Sequence, residues 1–263
     1  MITPQTLIEM KKKGEKIAAL TAYDFPTAQI LSESGADVLL VGDSLGMVKL
    51  GYSSTISVTM DQMLHHLLAV KRGISGPLLV ADMPYLSYEI DLKEALVNAG
   101  RLVKEGGAQA VKIEGGGFVA DIARELLKIH IPVMGHLGLT PQSVNRLGGY
   151  KVQGRDSKSA KKILDDAKAL EKAGVFALVL ECVPADLARK VTSQLQIPTI
   201  GIGAGIHCDG QILVSDDLWG ISRGPDLKFV KRYARLRETM ISSSRAYMQE
   251  VRKGKFPGAE HSF

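Results

Sequence analysis

A chain of 263 residues with 45% hydrophobic content can bury one sizeable core and has the usual length of a single eight-fold β/α barrel, so one domain over residues 1–263 is expected. Its two cysteines, Cys182 and Cys208, are too few for a disulfide framework and lack metal-site spacing; with no apolar leader and no run near the roughly 18 apolar residues of a membrane span, a cytoplasmic protein is expected. The net charge of +5 does not point to nucleic acid, because residues 228–255 hold nine Lys/Arg against two acids, interleaved with Val230, Tyr233, Ala234, Leu236, Met240 and Ile241 like a solvated helix face, and 5% aromatics leave little for base stacking.

Thr3-Pro4, with Lys11, Lys12 and Lys13 before Gly14, spells an N-terminal helix with cap, proline start and glycine stop. Strands and helices then alternate. A strand over 17–24 leads to a helix over 26–34, a strand over 38–43 and a helix over 60–71 that opens with the capping-box pair Thr59 and Gln62. After it come strand 78–82, helix 92–105, strand 110–114, a helix around 119–129, strand 133–136 and a helix begun by Thr140-Pro141. A long helix over 157–173 precedes strand 177–181, helix 185–195, strand 199–203 and strand 212–214.

Eight strand candidates with helical patterns between nearly all of them predict a closed (β/α)8 TIM barrel. The last crossover, from Gly205 to Gln211, has room for a single helical turn, so either that helix is vestigial or the eighth strand lies elsewhere. Helices over 226–251 are expected on the barrel exterior. The Ser/Thr-rich stretch 51–57 after a strand suggests an active-site loop.

Five of the apolar runs end on an ionisable residue: Asp43, Asp82, Glu114, His136 and Glu181. A strand buried on both faces cannot keep a carboxylate in its core without a partner, so these groups belong at one rim of the barrel. Adjacent strand ends lie about 5 Å apart, close enough for Asp43 and Asp82 to share a hard cation, with Glu114 joining directly or through water. Oxygen ligands without cysteine favour Mg²⁺ over zinc. The plainer alternative is that each acid caps a helix or pairs with an arginine.

Lys112 stands two residues before Glu114 and so points to the same side, where it either anchors an anion, forms a Schiff base or merely neutralises Glu114. Glu181, across the mouth and partly desolvated by apolar neighbours, suits a general base; otherwise it caps the helix that starts at Ala185. His136 is as much a core hydrogen-bonder as a catalyst. The Gly201–Gly205 run could cradle phosphate or simply turn the chain, and His65 and His66 are expected to carry no chemistry. A carboxylate-held dication, an anion-anchoring lysine and a distant carboxylate base together suit proton abstraction beside a carbonyl. A class I Schiff-base aldolase using Lys112, or a non-catalytic anion sensor on the Gly201–Gly205 turn, would explain parts of the same pattern.

Segments along nearly the whole chain resemble the ketopantoate hydroxymethyltransferase family. They are Thr21-Ala22-Tyr23-Asp24, Val41-Gly42-Asp43-Ser44-Leu45-Gly46, Ala81-Asp82-Met83-Pro84, Val111-Lys112-Ile113-Glu114-Gly115-Gly116, Gly135-His136-Leu137-Gly138-Leu139-Thr140-Pro141-Gln142, Leu180-Glu181-Cys182-Val183-Pro184, Ile200-Gly201-Ile202-Gly203-Ala204-Gly205 and Phe256-Pro257-Gly258-Ala259-Glu260-His261. The resemblance implies that Asp43 and Asp82 ligate Mg²⁺ with Glu114 in its coordination sphere, and that a 2-oxo acid docks there against Asp43, Ser44, Asp82 and Lys112. It further implies that Glu181 takes the C3 proton, that His136 orders the site, and that 5,10-methylenetetrahydrofolate donates the one-carbon unit to 3-methyl-2-oxobutanoate. The family assembles as a homodecamer, and neither nucleic acid nor membrane is an implied partner. Ser215-Asp216-Asp217-Leu218-Trp219 is less typical of the family. The 256–263 tail reads from composition as disordered, though its family-like wording hints at docking near the site or a subunit boundary.

Overall fold

The computed structural model describes residues 1–223 and 227–263. The chain runs α1 (Pro4–Lys13), β1 (Ile17–Thr21), α2 (Phe25–Glu33), β2 (Val38–Val41), α3 (Leu45–Val48), α4 (Met60–Gly73), β3 (Leu78–Asp82), α5 (Leu92–Lys104) and β4 (Ala110–Glu114). It continues through α6 (Gly117–Lys128), β5 (Val133–Gly138), α7 (Val144–Leu147), α8 (Ser157–Ala173), β6 (Ala177–Glu181), α9 (Ala185–Gln194), β7 (Thr199–Ile202), β8 (Gly210–Leu213), α10 (Ser215–Leu218) and α11 (Leu236–Arg252). The eight strands pair in sequence order, all parallel, and β8 closes on β1, which is the expected (β/α)8 TIM barrel.

The two-residue period of a strand sorts the barrel. Ile17 and Ala19, Val38 and Leu40, Leu78 and Val80, Ala110, Met134, Ala177 and Val179, Ile200 and Ile212 form one buried cluster. Their alternates, among them Leu39, Val41, Leu79, Ala81, Val111, Ile113, Val133, Leu178 and Leu180, are buried on the other face, where α4, α5, α6 and α8 pack against the strands. Burial on both faces is why these strands read as unbroken apolar runs. Continuing the inward row by two residues reaches Asp82 after Val80, Lys112 and Glu114 after Ala110, His136 after Met134 and Glu181 after Val179. The spacing that builds the core thereby aims polar groups at the C-terminal mouth.

At the opposite end α1 carries Leu7, fully buried in the same cluster with Ile2, Ile8 and Met10 against it, and Lys11 pairs with Asp209 at 2.8 Å. Its ends follow the sequence: Thr3 and Thr6 form a capping box, and Gly14 takes φ 72° in the left-handed region. Thr59 and Gln62 likewise cap α4.

Several local expectations are corrected. No helix connects β7 to β8, and β8 begins at Gly210 rather than Ile212: the Asp209 carboxylate accepts the Thr199 N–H at 2.8 Å, drawing the chain straight into register. A side chain at 210 would meet the Ile17 carbonyl at 2.5 Å, so only glycine enters β8 there. Thr140-Pro141 opens a 3₁₀ turn (Pro141–Ser143) and the four-residue α7, which Gly148 ends at φ 66°. β1 stops at Thr21, and Asp24 instead caps α2 by accepting the Thr27 N–H at 2.9 Å. The predicted helix start at Asp226 lies outside the described residues, and α11 begins at Leu236, so Val230, Tyr233 and Ala234 precede it.

The described residues group into two compact units, 1–214 and 215–263. In the second, the predicted disordered tail is ordered: Ala259–His261 forms a 3₁₀ turn, and the Phe256 ring lies 5.4 Å from Tyr247 and 5.2 Å from His261. These edge-on and tilted ring contacts are tertiary packing that composition does not reveal. Among the described residues, no helix is long and apolar enough to cross a membrane.

Candidate active site

The C-terminal mouth of the barrel gathers the residues predicted from strand ends. Asp43, Asp82, Lys112, Glu114 and His136 are each 5% exposed or less. Lys112 Nζ lies 2.8 Å from Asp82 Oδ1 and 3.6 Å from Glu114 Oε1, and 3.3 Å from His136 Nδ1. His136 spans the two sides of the mouth, with Nδ1 3.2 Å from Glu114 Oε1 and Nε2 3.3 Å from Glu181 Oε2. Asp43 enters from the other direction: its backbone N–H donates to Asp82 Oδ2 at 3.0 Å, and its Oδ2 accepts from Gln142 Nε2 at 2.8 Å.

Charge in this cluster is strongly coupled. Burial, then the charges of Asp82 and Glu114, push the Asp43 carboxyl well above the usual carboxylate range. Burial also raises Asp82 despite the opposing pull of Lys112. Burial works against charge on Lys112, but Asp82, Glu114 and Asp43 outweigh it and hold the ammonium protonated. For His136, burial and the Lys112 ammonium disfavour the cation, yet Glu114 and Glu181 prevail and lift it to about 9. Glu114 is desolvated as well, but His136 and Lys112 more than compensate and hold it below its ordinary value.

Of the plainer alternatives, the pairing of Lys112 with a neighbouring acid is present, at 2.8 Å to Asp82 and 3.6 Å to Glu114, whereas arginine pairing and helix capping are not seen among the described residues. Neither Asp43 nor Asp82 pairs with an arginine; their recorded partners are Gln142, the Asp43 N–H and Lys112. The residue at the N-cap of α9 is Pro184, with no side-chain cap, so Glu181 does not cap it. The Gly201–Gly205 run makes a turn, with Gly203 and Gly205 at positive φ and the Gly205 carbonyl accepting from Gln211 Nε2 at 2.9 Å. His66 is structural, its Nδ1 2.7 Å from the Tyr23 carbonyl, and Tyr23 in turn holds the Ser44 hydroxyl at 2.8 Å.

Glu181 is held by its backbone. Its carbonyl accepts the Leu139 N–H at 2.8 Å, and the next residue, Cys182, takes φ 47°, a left-handed conformation rare outside glycine. Cys182 is fixed there by its N–H to the Ile202 carbonyl and by accepting the Gln153 N–H, each at 2.9 Å. Opposite Glu181 in the β5–β6 register stands Gly138 at φ 96°, where an added Cβ would sit 2.2 Å from the Glu181 carbonyl oxygen. Backbone strain of this kind concentrates where side-chain direction matters.

The donor set fits a hard divalent cation. Two buried carboxylates, Asp43 raised by burial and by Asp82 and Glu114, and Asp82 raised by burial despite Lys112, would both be stabilised as anions by added positive charge. Both oxygens of Glu114 are already engaged, Oε1 by His136 and Lys112 and Oε2 by the Gln142 N–H at 3.1 Å. Among the described residues, no three His, Cys, Asp or Glu side chains form a closed metal cage. Mg²⁺, which keeps several positions for water and substrate, needs none.

Two residues of this network escaped sequence reasoning as candidates. Gln142, 5% exposed, ties Asp43 to Glu114 and to the Met83 carbonyl, and Tyr88, 1% exposed, gives its hydroxyl proton to Gln142 Oε1 at 2.8 Å while accepting the Glu114 N–H at 3.1 Å. Gln142 closes one of the family-like segments and was visible there; nothing in the local pattern marks Tyr88.

A (β/α)8 barrel that collects buried acids, a charged lysine and a carboxylate across its C-terminal mouth belongs to the class of TIM-barrel enzymes whose chemistry lies at the strand ends. Residues 1–259 match the family profile described as ketopantoate hydroxymethyltransferase, and the chain belongs to that family of transferases. It is 59% identical over 262 residues to the 3-methyl-2-oxobutanoate hydroxymethyltransferase of Carboxydothermus hydrogenoformans, covering 100% of this chain and 95% of that one. The enzyme of the same name from Moorella thermoacetica is 56% identical, covering 100% and 97%. Solved structures with the same fold include phosphonopyruvate hydrolase in complex with oxalate and Mg²⁺ (TM-score 0.64, 11% identity, covering 99% of this chain and 93% of that one). Another is 2,3-dimethylmalate lyase, a PEP mutase/isocitrate lyase superfamily member (TM-score 0.61, 15% identity, covering 100% and 92%).

Proposed function

We propose that the protein transfers the one-carbon unit of 5,10-methylenetetrahydrofolate, with uptake of water, to 3-methyl-2-oxobutanoate, giving 2-dehydropantoate and tetrahydrofolate, with Mg²⁺ held by Asp43 and Asp82. The observation that carries this reading is the split of the mouth. The acid pair and Lys112 stand on β2 to β4, and Glu181 stands on β6, four strands from β2 in a ring of eight. The names of relatives at 59% and 56% identity support the choice of oxo acid.

When bound, the cation would polarise the keto oxygen and so acidify the neighbouring C3–H. Asp43 and Asp82 would hold it, with Glu114 in its coordination sphere. Lys112, kept charged by its three carboxylate neighbours, binds the substrate carboxylate. Ser44, oriented by Tyr23, donates a hydrogen bond beside it. Glu181 accepts the C3 proton, oriented by His136 Nε2 and by its pinned backbone. Water releases the one-carbon unit from both folate nitrogens, which keep the hydrogens as tetrahydrofolate. The C3 electron pair then forms the new C–C bond to that aldehyde-level carbon, whose carbonyl pair moves to oxygen and takes up a proton to become the hydroxymethyl group.

A lysine held protonated is a poor nucleophile, so the electrostatics favour this reading over a Schiff-base aldolase. The working assembly in this proposal is the family's homodecamer in the cytoplasm; α11, with no buried residue and with Met240, Tyr247, Met248 and Val251 exposed, leaves apolar surface for contacts between copies. The test is an assay of hydroxymethyl transfer with both Mg²⁺ and 5,10-methylenetetrahydrofolate. Product is expected only when both are supplied, and full turnover under excess chelator or without the folate would overturn the proposal.

A further inference from the structure

We infer that Gln142 is a positioning residue that sets which cation the site prefers, by making Asp43 a one-oxygen ligand. This rests on the metal reading proposed above. The Gln142 carboxamide is buried, and every polar atom of it is engaged. Nε2 donates to Asp43 Oδ2 at 2.8 Å and to the Met83 carbonyl at 3.0 Å, and Oε1 receives the Tyr88 hydroxyl proton at 2.8 Å.

The orientation of that amide follows from chemistry. The Met83 carbonyl is a pure acceptor and so is the Asp43 carboxylate when ionised, as it is in binding a cation, so a flipped amide would set its oxygen against two others. Tyr88 holds the correct sense from the other end: its oxygen accepts the Glu114 N–H at 3.1 Å, and of the two acceptors within reach of its single proton, the Glu114 carbonyl at 3.2 Å and Gln142 Oε1 at 2.8 Å, Oε1 is the nearer.

The consequence lies in the number of carboxylate oxygens offered. Asp43 Oδ2 carries the partial positive charge of an N–H at 2.8 Å, which opposes a dication on that same atom, leaving Oδ1 to bind one. Asp82 is engaged at both oxygens, Oδ2 by the Asp43 N–H at 3.0 Å and Oδ1 by the Lys112 ammonium at 2.8 Å, so it would reach an ion by releasing one of them and offers one oxygen at most. Two one-oxygen carboxylates suit a small six-coordinate ion that keeps its waters, whereas a larger ion such as Ca²⁺ gains from carboxylates binding through both oxygens. Gln142 therefore selects for Mg²⁺ against Ca²⁺, and its own backbone N–H on Glu114 Oε2 at 3.1 Å ties the same residue to the third acid.

The experiment measures Mg²⁺ and Ca²⁺ binding separately by calorimetry, with 3-methyl-2-oxobutanoate present, on wild type, Gln142→Met and Tyr88→Phe. Gln142→Met keeps the volume and removes the donor. Its Mg²⁺ affinity should fall about 10-fold, the low end for loss of a partner that orients a metal ligand. Its Ca²⁺ affinity should hold or rise, so that the Mg²⁺/Ca²⁺ preference drops. Tyr88→Phe keeps the donor but releases the amide and should shift the ratio the same way by a smaller factor, which guards against a fold defect in the first variant. An unchanged Mg²⁺/Ca²⁺ ratio in both variants, or an equal loss of both ions, would overturn the role of Gln142. Wild type that binds neither ion would overturn the metal reading itself, and this role with it.

Discussion

Replacing Lys112 by methionine removes an ammonium that faces three buried acids while keeping most of the side-chain volume. At separations of 2.8 Å from Asp82 and 3.6 Å from Glu114, and an effective dielectric constant of about 20, the attractions forgone are about 6 and about 5 kcal/mol. Much of that offsets the desolvation of Lys112 itself, so the expected net loss is about 3–5 kcal/mol, the usual result of leaving a buried charge unpaired. Both side chains of the closer pair are at most 5% exposed, so solvent screening does not discount it. For a chain of this length each kcal/mol moves Tm by about 2–4 °C, which puts the deficit on the order of 10 °C by scanning calorimetry at pH 8.

The pH dependence of that deficit has a definite sign. The folded-state carboxyl of Asp82 is already raised by burial, and losing Lys112 raises it further. A group whose folded value exceeds its unfolded one contributes stability below the unfolded value and loses it as pH rises through the folded one. The gap between Lys112→Met and wild type, compared at the same pH, should therefore be smallest at acid pH and widen toward pH 8. The charge-neutral pair Asp82→Asn with Lys112→Met should recover part of it. A single variant that melts within about 2 °C of wild type at pH 8 would show that the cluster is not coupled as described.

Glu181→Gln keeps the shape of the base and an oxygen that can still accept from His136, so oxo-acid binding should persist while solvent exchange of the C3 hydrogen, followed by NMR, slows about 10²–10⁴-fold; exchange at the wild-type rate would remove Glu181 from the role. Gly138→Ala puts a Cβ where only 2.2 Å separates it from the Glu181 carbonyl, at a backbone angle that disfavours it. It should slow the same exchange with little effect on metal binding, and an unaltered exchange rate would show that the Glu181 backbone need not be held.

Most of the barrel is legible in the chain because burial on both faces leaves an unmistakable mark: Val38 to Val41 and Leu78 to Ala81 have no polar residue to interrupt them. Glu114 and Lys112 were visible as a same-side pair from spacing alone, and they lie 3.6 Å apart. What the pattern hid are features made by partners distant in sequence. The β7–β8 connection needs no helix because Asp209 and Thr199 bond across it, a contact that no local propensity encodes. Tyr88 and Gln142 meet across a separation of 54 positions. The ends of α7 and α11 differ from the sequence reading because Thr140-Pro141 serves a 3₁₀ turn as well as a helix, and because basic residues at helical spacing continue through residues 227–235, which form no helix.

The most direct test of the cation-centred site is calorimetric titration of 3-methyl-2-oxobutanoate into metal-stripped protein, with and without Mg²⁺, for wild type and Asp82→Ala. Binding should appear only when Mg²⁺ is added to wild type and should be lost or strongly weakened in the variant. Equal binding of the oxo acid with and without the ion, or undiminished metal-dependent binding in Asp82→Ala, would contradict the assignment of these buried acids to a cation.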